Sequence, residues 1–274
     1  MEQNIIFDFG CNEGQNFDYF LEKADYVIGV EANPYLIKDL LEKFSKPINE
    51  GRLFIENKAL LNTEKNIDFF VSKKSTVLSQ VSLPKKIDDW EKINIISQTP
   101  SNLIKKYLKK LNITKVFYIK IDVECSDYIV LKDIIDNSVI SQYLSIEMQD
   151  PNIINLLLQT PYRSIKFMDG IDIGRIVKKI TLIDKKGKNK EIVFKRHSSG
   201  PFGDDIPSEW YSMESLIPYF LNNGCGWKDI HCCIEDKKYG KTIVYKKKIH
   251  AQGFGYHCKE IIPSFIKMLN NKFR

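Results

Sequence analysis

The sequence has no C-x-x-C pair, and its six cysteines and four histidines fall at no zinc-binding spacing, so neither a structural zinc site nor a dithiol redox centre is expected. It also lacks an apolar run of membrane-spanning length, a charged and apolar leader ahead of Ile5, internal repeats and a low-complexity linker. Together these absences lead us to expect a cytoplasmic protein with reduced thiols and no membrane span. Arginine is scarce, which argues against a dedicated bidentate reader of phosphates. The net charge of +6 comes from lysine, scattered and in runs such as Lys185-Lys186 and Lys246-Lys247-Lys248, and reads as solvated surface rather than a nucleic-acid footprint. A hydrophobic share of 43% is ample for a buried core and leaves no case for disorder.

What is present is concentrated near the start. Ile5-Ile6-Phe7-Asp8-Phe9 is a hydrophobic strand that runs into a glycine turn, a helix follows, and Val27-Ile28-Gly29-Val30 is a second strand ending on Glu31. This is a nucleotide-binding βαβ unit. Gly10 and Gly14 are read as letting the backbone approach a ligand, with Asp8 near an ammonium group and Glu31 accepting from two ribose hydroxyls. The turn reads Asp8-x-Gly10-x-x-x-Gly14, not G-x-G-x-x-G, so the pyrophosphate seat of a dinucleotide is missing. A ligand with a ribose, no phosphate and an amino-acid tail fits, and S-adenosylmethionine is such a ligand.

Further along, strands and helices alternate. Pro34 to Phe44 has helical spacing of apolar residues, Leu53 to Ile55 and Ile67 to Val71 read as strands, and Ser72 to Thr99 as a loop-rich excursion. Ser101 to Leu111 is an amphipathic helix, Val116 to Val123 a strand buried on both faces, and Tyr143 to Met148 another strand, followed by a helix from Asn152 to Leu158. The expected fold is α/β, a Rossmann-like, doubly wound and mostly parallel sheet over residues 1–160. Residues 161–274 form a C-terminal α+β elaboration that completes the sheet and makes the substrate region without being an independent domain. In it, Arg175 to Phe194 reads as two strands around the turn Asp184-Lys185-Lys186-Gly187. His197-Ser198-Ser199-Gly200-Pro201-Phe202-Gly203-Asp204-Asp205 is too rich in glycine, serine and proline for regular structure and suits a lid. Ligands in such a sheet bind at the carboxyl ends of strands, where Asp8, Glu31, Asp122 and Glu147 all fall.

Lys120-Ile121-Asp122-Val123-Glu124, followed by Asp127, Val130 and Leu131, resembles the K-I-D-V-E-G-x-E-x-x-V-L signature of the FkbM family of methyltransferases. Asp8-Phe9-Gly10-Cys11-Asn12-Glu13-Gly14 resembles the family's D-x-G-A-N-x-G, and Glu31-Ala32-Asn33-Pro34 its E-P-N-P. Ala59-Leu60 and Ile146-Glu147 also match, and Ser198 to Gly203 with Trp210 and Asp229-Ile230-His231 is similar to a tail found in part of the family. The resemblance implies a class I methyltransferase fold, S-adenosylmethionine as cofactor and O-methylation of a sugar, glycan or natural product. Cys125 and Asp127 depart from it, standing where the family has glycine and glutamate.

On this reading the cofactor site comprises Asp8, Phe9, Gly10, Asn12, Gly14, Gln15, Asn16, Glu31, Ala32, Asn33, Asn57, Lys58, Ala59 and Asp122. Methyl transfer to oxygen needs positioning and a proton acceptor, for which Asp122, Glu124 and Glu147 are placed by topology, with Asp122 first. His197 and His231 are further candidates because histidine titrates near neutral pH. Asp122 and Glu147 could also hold a divalent cation. Asp204, Asp205 and Asp229 are candidate ligands of sugar hydroxyls, and Trp210 and Trp227 of a sugar face, against plain packing or solvent roles. Two other readings share these residues: a non-catalytic nucleoside-binding module and a NAD-dependent oxidoreductase.

Overall fold

Ile5-Ile6-Phe7-Asp8-Phe9 is buried along its whole length, as a strand must be when both faces of a parallel sheet are covered. In the computed structural model, which describes residues 3–84, 86–169, 178–183, 188–195 and 197–238, it forms β1 (Ile5–Phe9) at the middle of an eight-stranded sheet. α1 (Phe17–Lys23) leads to β2 (Tyr26–Glu31), and α2 (Pro34–Lys43) with α3 (Ser45–Asn49) leads to β3 (Leu53–Asn57). β4 (Ala59–Leu60), β5 (Asn66–Ser72) and β6 (Trp90–Gln98) make a separate small sheet. The chain continues through α4 (Pro100–Leu111), β7 (Val116–Ile121), α5 (Asp127–Asp136), β8 (Ser141–Glu147), α6 (Asn152–Leu157) and β9 (Ser164–Asp169). β10 (Lys179–Ile183) and β11 (Asn189–Val193) pair as a hairpin, and β12 (Tyr211–Ser212), α7 (Leu216–Asn223) and β13 (Lys228–Cys233) follow.

The large sheet runs β3-β2-β1-β7-β8-β13-β9-β12. β3, β2, β1, β7 and β8 are parallel, and β13 is antiparallel to both β8 and β9. Counting its seven longer strands along the chain, the order is 3-2-1-4-5-7-6. This is the Rossmann-like, doubly wound sheet of the class I methyltransferase type, and its order reverses between β1 and β7, where ligands enter such folds.

The two faces are covered differently. On one, α4, α5, α6 and α7 bury Leu103, Val130, Ile154 and Phe220 against Phe7, Ile119, Ile146 and Ile230. On the other, α1 and α2 cover β1 and β2, while over β7 and β8 Phe194 and the chain from His197 to Trp210 take the place of a helix. Phe202 is its plug: its ring stacks on Tyr118 at 3.9 Å and is ringed by Tyr19, Phe20, Phe117 and Tyr143.

Two expectations are corrected. The excursion from Ser72 to Thr99 is only partly loop, because Trp90 to Gln98 is the nine-residue β6, antiparallel to β5, with Ile95 packed on Phe69 and Val71. Ile96 and Ser97 break the alternation in the sequence, because the isoleucine is exposed and the serine buried. The segment from Ser198 to Asp205 lacks strand or helix beyond one short turn, as expected, yet Ser198 to Gly203 form a buried strap rather than a free lid, with Asp204 exposed at its end. Its Gly203 has φ +63° and sits against the Tyr143 ring, where a side chain would meet atoms at 3.0 Å. The expected turn at Asp184 to Gly187, the strand start at Arg175 and the run from Lys246 to Lys248 lie outside the described residues.

Candidate functional site

Strand register aligns polar residues across the sheet. Asp8 of β1 stands beside Lys120 of β7, Lys120 beside Ser145 of β8, Ser145 beside His231 of β13, and His231 beside Lys166 of β9. All five are buried. One step toward the carboxyl ends, Glu147 stands beside Asp229, with Asp122 directly after β7, so three carboxylates follow the same line. Above this row lies a cavity of about 400 Å³, within the size range of small-molecule sites.

The first turn shapes one wall. Gly10 has φ +79°, and a Cβ there would lie 1.7 Å from the carbonyl oxygen of Asp122, so the turn is pressed onto the end of β7. Gly14, at φ +69°, has the rings of Phe17 and Phe44 so close that an added Cβ would lie 2.7 Å from each. The close approaches these glycines permit are thus to the chain itself, and Gly14 is off the cavity. Glu31 ends β2 at the wall. Its Oε2 accepts from the Asn12 backbone N–H at 2.9 Å and its Oε1 from that of Asn33 at 2.7 Å. Burial raises its pKa to about 7, against the lowering effect of those two bonds.

Lys120 occupies the floor. Its Nζ lies 3.3 Å from Asp8 Oδ1, 3.1 Å from Asp122 Oδ2 and 3.4 Å from the carbonyl oxygen of Gly10. Burial opposes its charge, but Asp122 and Asp8 outweigh it and hold the ammonium well above its ordinary pKa. Burial also pushes up the carboxyls around it. Glu147 rises to about 9, helped by the charges of Asp122 and Asp229, while Glu124 and Asp229 each rise to about 7, helped by Asp122. Gln149 donates to Glu147 Oε2 at 2.6 Å. Carboxylate oxygens of Asp122, Glu124 and Glu147 all lie within 4.8 Å of one another.

Two segments close the sides. Thr76 to Ser79, in the excursion, lines the cavity, and Thr76 Oγ1 donates to Asn12 Oδ1 at 3.2 Å. Opposite, His197, Ser198 and Ser199 line it at the head of the buried strap, fixed by Asn16, whose Oδ1 accepts from Ser198 Oγ at 2.6 Å and from the Ser199 backbone N–H at 3.2 Å.

With this geometry the chain was compared with known proteins. No family model matches it, and no curated protein matches its sequence. Among solved structures it is similar to methyltransferase FkbM from Methylobacillus flagellatus KT, with 12% identity and a TM-score of 0.40 over 61% of this chain; the match spans only 40% of that protein's length. It is also similar to M. capricolum TrmK, solved with S-adenosyl-homocysteine, at 10% identity and a TM-score of 0.32 over 82% of this chain and 74% of that one. Precorrin-6y C5,15-methyltransferase from Geobacter metallireducens aligns at 9% identity and a TM-score of 0.32 over 70% of this chain and 77% of that one. Likenesses this loose carry no assignment.

Of the residues expected at the site, Gly10, Asn12, Gln15, Asn16, Glu31 and Ala32 line the cavity from the first two strands. Lys58 and Ala59 line it beyond β3, Asp122, Glu124 and Glu147 at the ends of β7 and β8, and His197 at the head of the strap. Others do not reach it. Asp8 is fully buried behind Lys120, and Phe9 packs in the core. Asn33 caps α2, its Oδ1 accepting from the Tyr35 N–H, and Asn57 Nδ2 bonds the carbonyl oxygens of Glu31 and Ala32. His231, a candidate proton acceptor, is corrected: it is a strand residue of β13, one row behind Asp229 and away from the cavity. Burial and the Lys166 charge lower its pKa to about 3.

Asp204 and Asp205 are likewise engaged elsewhere, with Trp210 Nε1, Tyr143 and Lys237 on the first and Tyr19 and Lys23 on the second. Asp229 and the exposed Trp227 do line the cavity, whereas Trp210 is buried. Sequence reasoning missed Lys120 and the Thr76 to Ser79 wall. Strand alternation alone would have set Lys120 on the same face as Asp122; the wall carries no local signal.

Proposed function

We propose that this protein binds S-adenosylmethionine and transfers its methyl group to a hydroxyl of a sugar, glycan or natural-product acceptor. The observation that carries the reading is Glu31, whose two oxygens are each aimed by one backbone N–H at the cavity end of β2 and keep lone pairs for a ribose diol. Adenine would lie along Ala32, Lys58 and Ala59, and the amino-acid tail along Gly10, Asn12, Gln15 and Asn16. The absence of a G-x-G-x-x-G turn disfavours NAD.

In the reaction the S–CH₃ bond breaks as the O–CH₃ bond forms, and the hydroxyl proton passes to a carboxylate. Asp122 already faces Lys120, so Glu147 is the preferred acceptor, with Glu124 within 4.8 Å of it and His197 on the cavity wall formed by the strap. A sulfonium beside the carboxylate row would draw Glu147 toward its ionised form. Asp122, Glu124 and Glu147 also offer clustered hard oxygen donors that fit Mg²⁺, which would lower the pKa of the acceptor hydroxyl.

Calorimetric titration with S-adenosylmethionine, S-adenosylhomocysteine and NAD tests the reading. Micromolar binding of the two sulfur nucleosides without NAD supports it, and binding of neither withdraws it. With a labelled methyl donor and an acceptor in hand, Glu147→Gln is expected to lower kcat by about 10²–10⁴-fold while cofactor affinity holds. Chelation should abolish turnover, with Mg²⁺ restoring it, if the ion takes part; full activity in chelator removes the metal from the scheme.

A further inference from the structure

Ser199 is 8% exposed, lines the cavity, and its hydroxyl has no hydrogen-bond partner among the described residues. An unpaired buried hydroxyl is a cost to the fold, so its retention beside a ligand-sized cavity asks for a partner from outside the chain. The groups next to it fix the partner's sign. The Ser199 backbone N–H can only donate, so the Asn16 atom it meets at 3.2 Å must be the carbonyl oxygen, and that oxygen also takes the Ser198 hydroxyl. The Asn16 amide nitrogen, a donor only, is left without a bond among the described residues, on a residue that also lines the cavity. Gln15, next in the wall, has a side-chain amide that likewise makes no bond there. Unpaired donors therefore gather where the strap meets the first turn, while Asp122, Glu147 and Asp229 line the cavity from β7, β8 and β13.

We propose that Ser199 and Asn16 form an anion subsite, delivered jointly by the strap and the first turn, that holds the carboxylate of the ligand's amino-acid tail. The proposal rests on the S-adenosylmethionine reading. It also reverses the polarity expected from the sequence at this end: Asp8, expected beside an ammonium group, is sealed behind Lys120, and all three contacts of that lysine are taken by the chain.

The test is a pair of ligands that differ by the tail. S-adenosylhomocysteine carries the carboxylate, and 5′-methylthioadenosine has the same nucleoside without it. In calorimetry on the full chain, Ser199→Ala should weaken S-adenosylhomocysteine about tenfold or more and leave methylthioadenosine within about twofold, the difference expected for a hydrogen bond to a charged group. The thermal midpoint should not fall, because the hydroxyl removed had no partner in the fold. Asn16→Asp keeps an oxygen for Ser198 and Ser199 but replaces the free donor with a negative oxygen, and should weaken S-adenosylhomocysteine further with methylthioadenosine again spared. Equal losses for both ligands, or no loss for S-adenosylhomocysteine, would overturn the subsite while leaving the nucleoside reading intact. Failure of the unaltered protein to bind either ligand would overturn both.

Discussion

At the scale of single residues, the backbone after β7 is unusual. Glu124 at φ +42° and Cys125 at φ +62° are consecutive non-glycine residues in the left-handed region, and the resemblance places glycine at the second. A left-handed conformation costs a side-chain-bearing residue roughly 1–2 kcal/mol, partly offset by the lower unfolded-state entropy relative to glycine. The cysteine is held by weak bonds, one of them donated from Sγ to Gln80 Oε1 at 3.4 Å. Cys125→Gly should therefore stabilise the protein by about 0.5–1 kcal/mol in denaturant melts. A loss of stability would mean that the tie to Gln80 outweighs the strain. That tie joins the carboxylate-bearing loop to the excursion wall, so the departure from the family pattern alters how the cavity is closed rather than Glu31.

At the scale of elements, the strap from His197 to Trp210 does what a helix does elsewhere in such sheets. It covers β7 and β8 with one aromatic plug, and Tyr19 of α1 anchors it by accepting from the Phe202 N–H at 3.2 Å and donating to Asp205 at 2.6 Å. Because the same strap carries Ser198 and Ser199 to the cavity, packing and ligand binding are linked through it. Phe202→Ala is expected to cost about 3–5 kcal/mol, read as a fall in thermal midpoint, and to weaken sulfur-nucleoside binding although Phe202 does not line the cavity. Retained affinity in a folded Phe202→Ala protein would separate the strap from the site. The excursion is the converse case, since the small sheet it completes carries its own cluster around Phe69 and Ile95, and it reaches the cavity with Phe69, Thr76 to Ser79 and Val81, beside Ala59 and Leu60 of β4.

For the whole molecule, charge burial sets a pH dependence. The Glu147 carboxyl moves from 4.5 to about 9 on folding, so the folded state holds its proton more tightly than the unfolded state. The stability this contributes is full below about pH 4.5 and is lost as pH rises through 9. Glu31, Glu124 and Asp229 act in the same direction over a window closing near pH 7. The ligand-free protein should therefore melt at a lower temperature at pH 8.5 than at pH 5.5, and Glu147→Gln should flatten the part above pH 7. A melting temperature that rises across this interval would contradict the burial of these carboxyls. S-adenosylmethionine, bearing a positive sulfonium, should offset the alkaline loss more than S-adenosylhomocysteine at equal saturation.

The sequence by itself determined the parallel core and the strand ends that carry the acids, because buried strands must be apolar throughout, and the polar residues that interrupt them stand out. Glu31, Asp122 and Glu147 were legible for that reason. The tertiary structure alone decided which of the acids face the cavity. Asp8 and Asp122 flank the same lysine, yet the turn at Gly10 seals the first and leaves the second at the rim. It also decided that a loop-like run of serine, glycine and proline is buried, and that Asn12 meets Thr76 while Asn16 meets Ser198. Those contacts join segments far apart in the chain, and no periodicity records them.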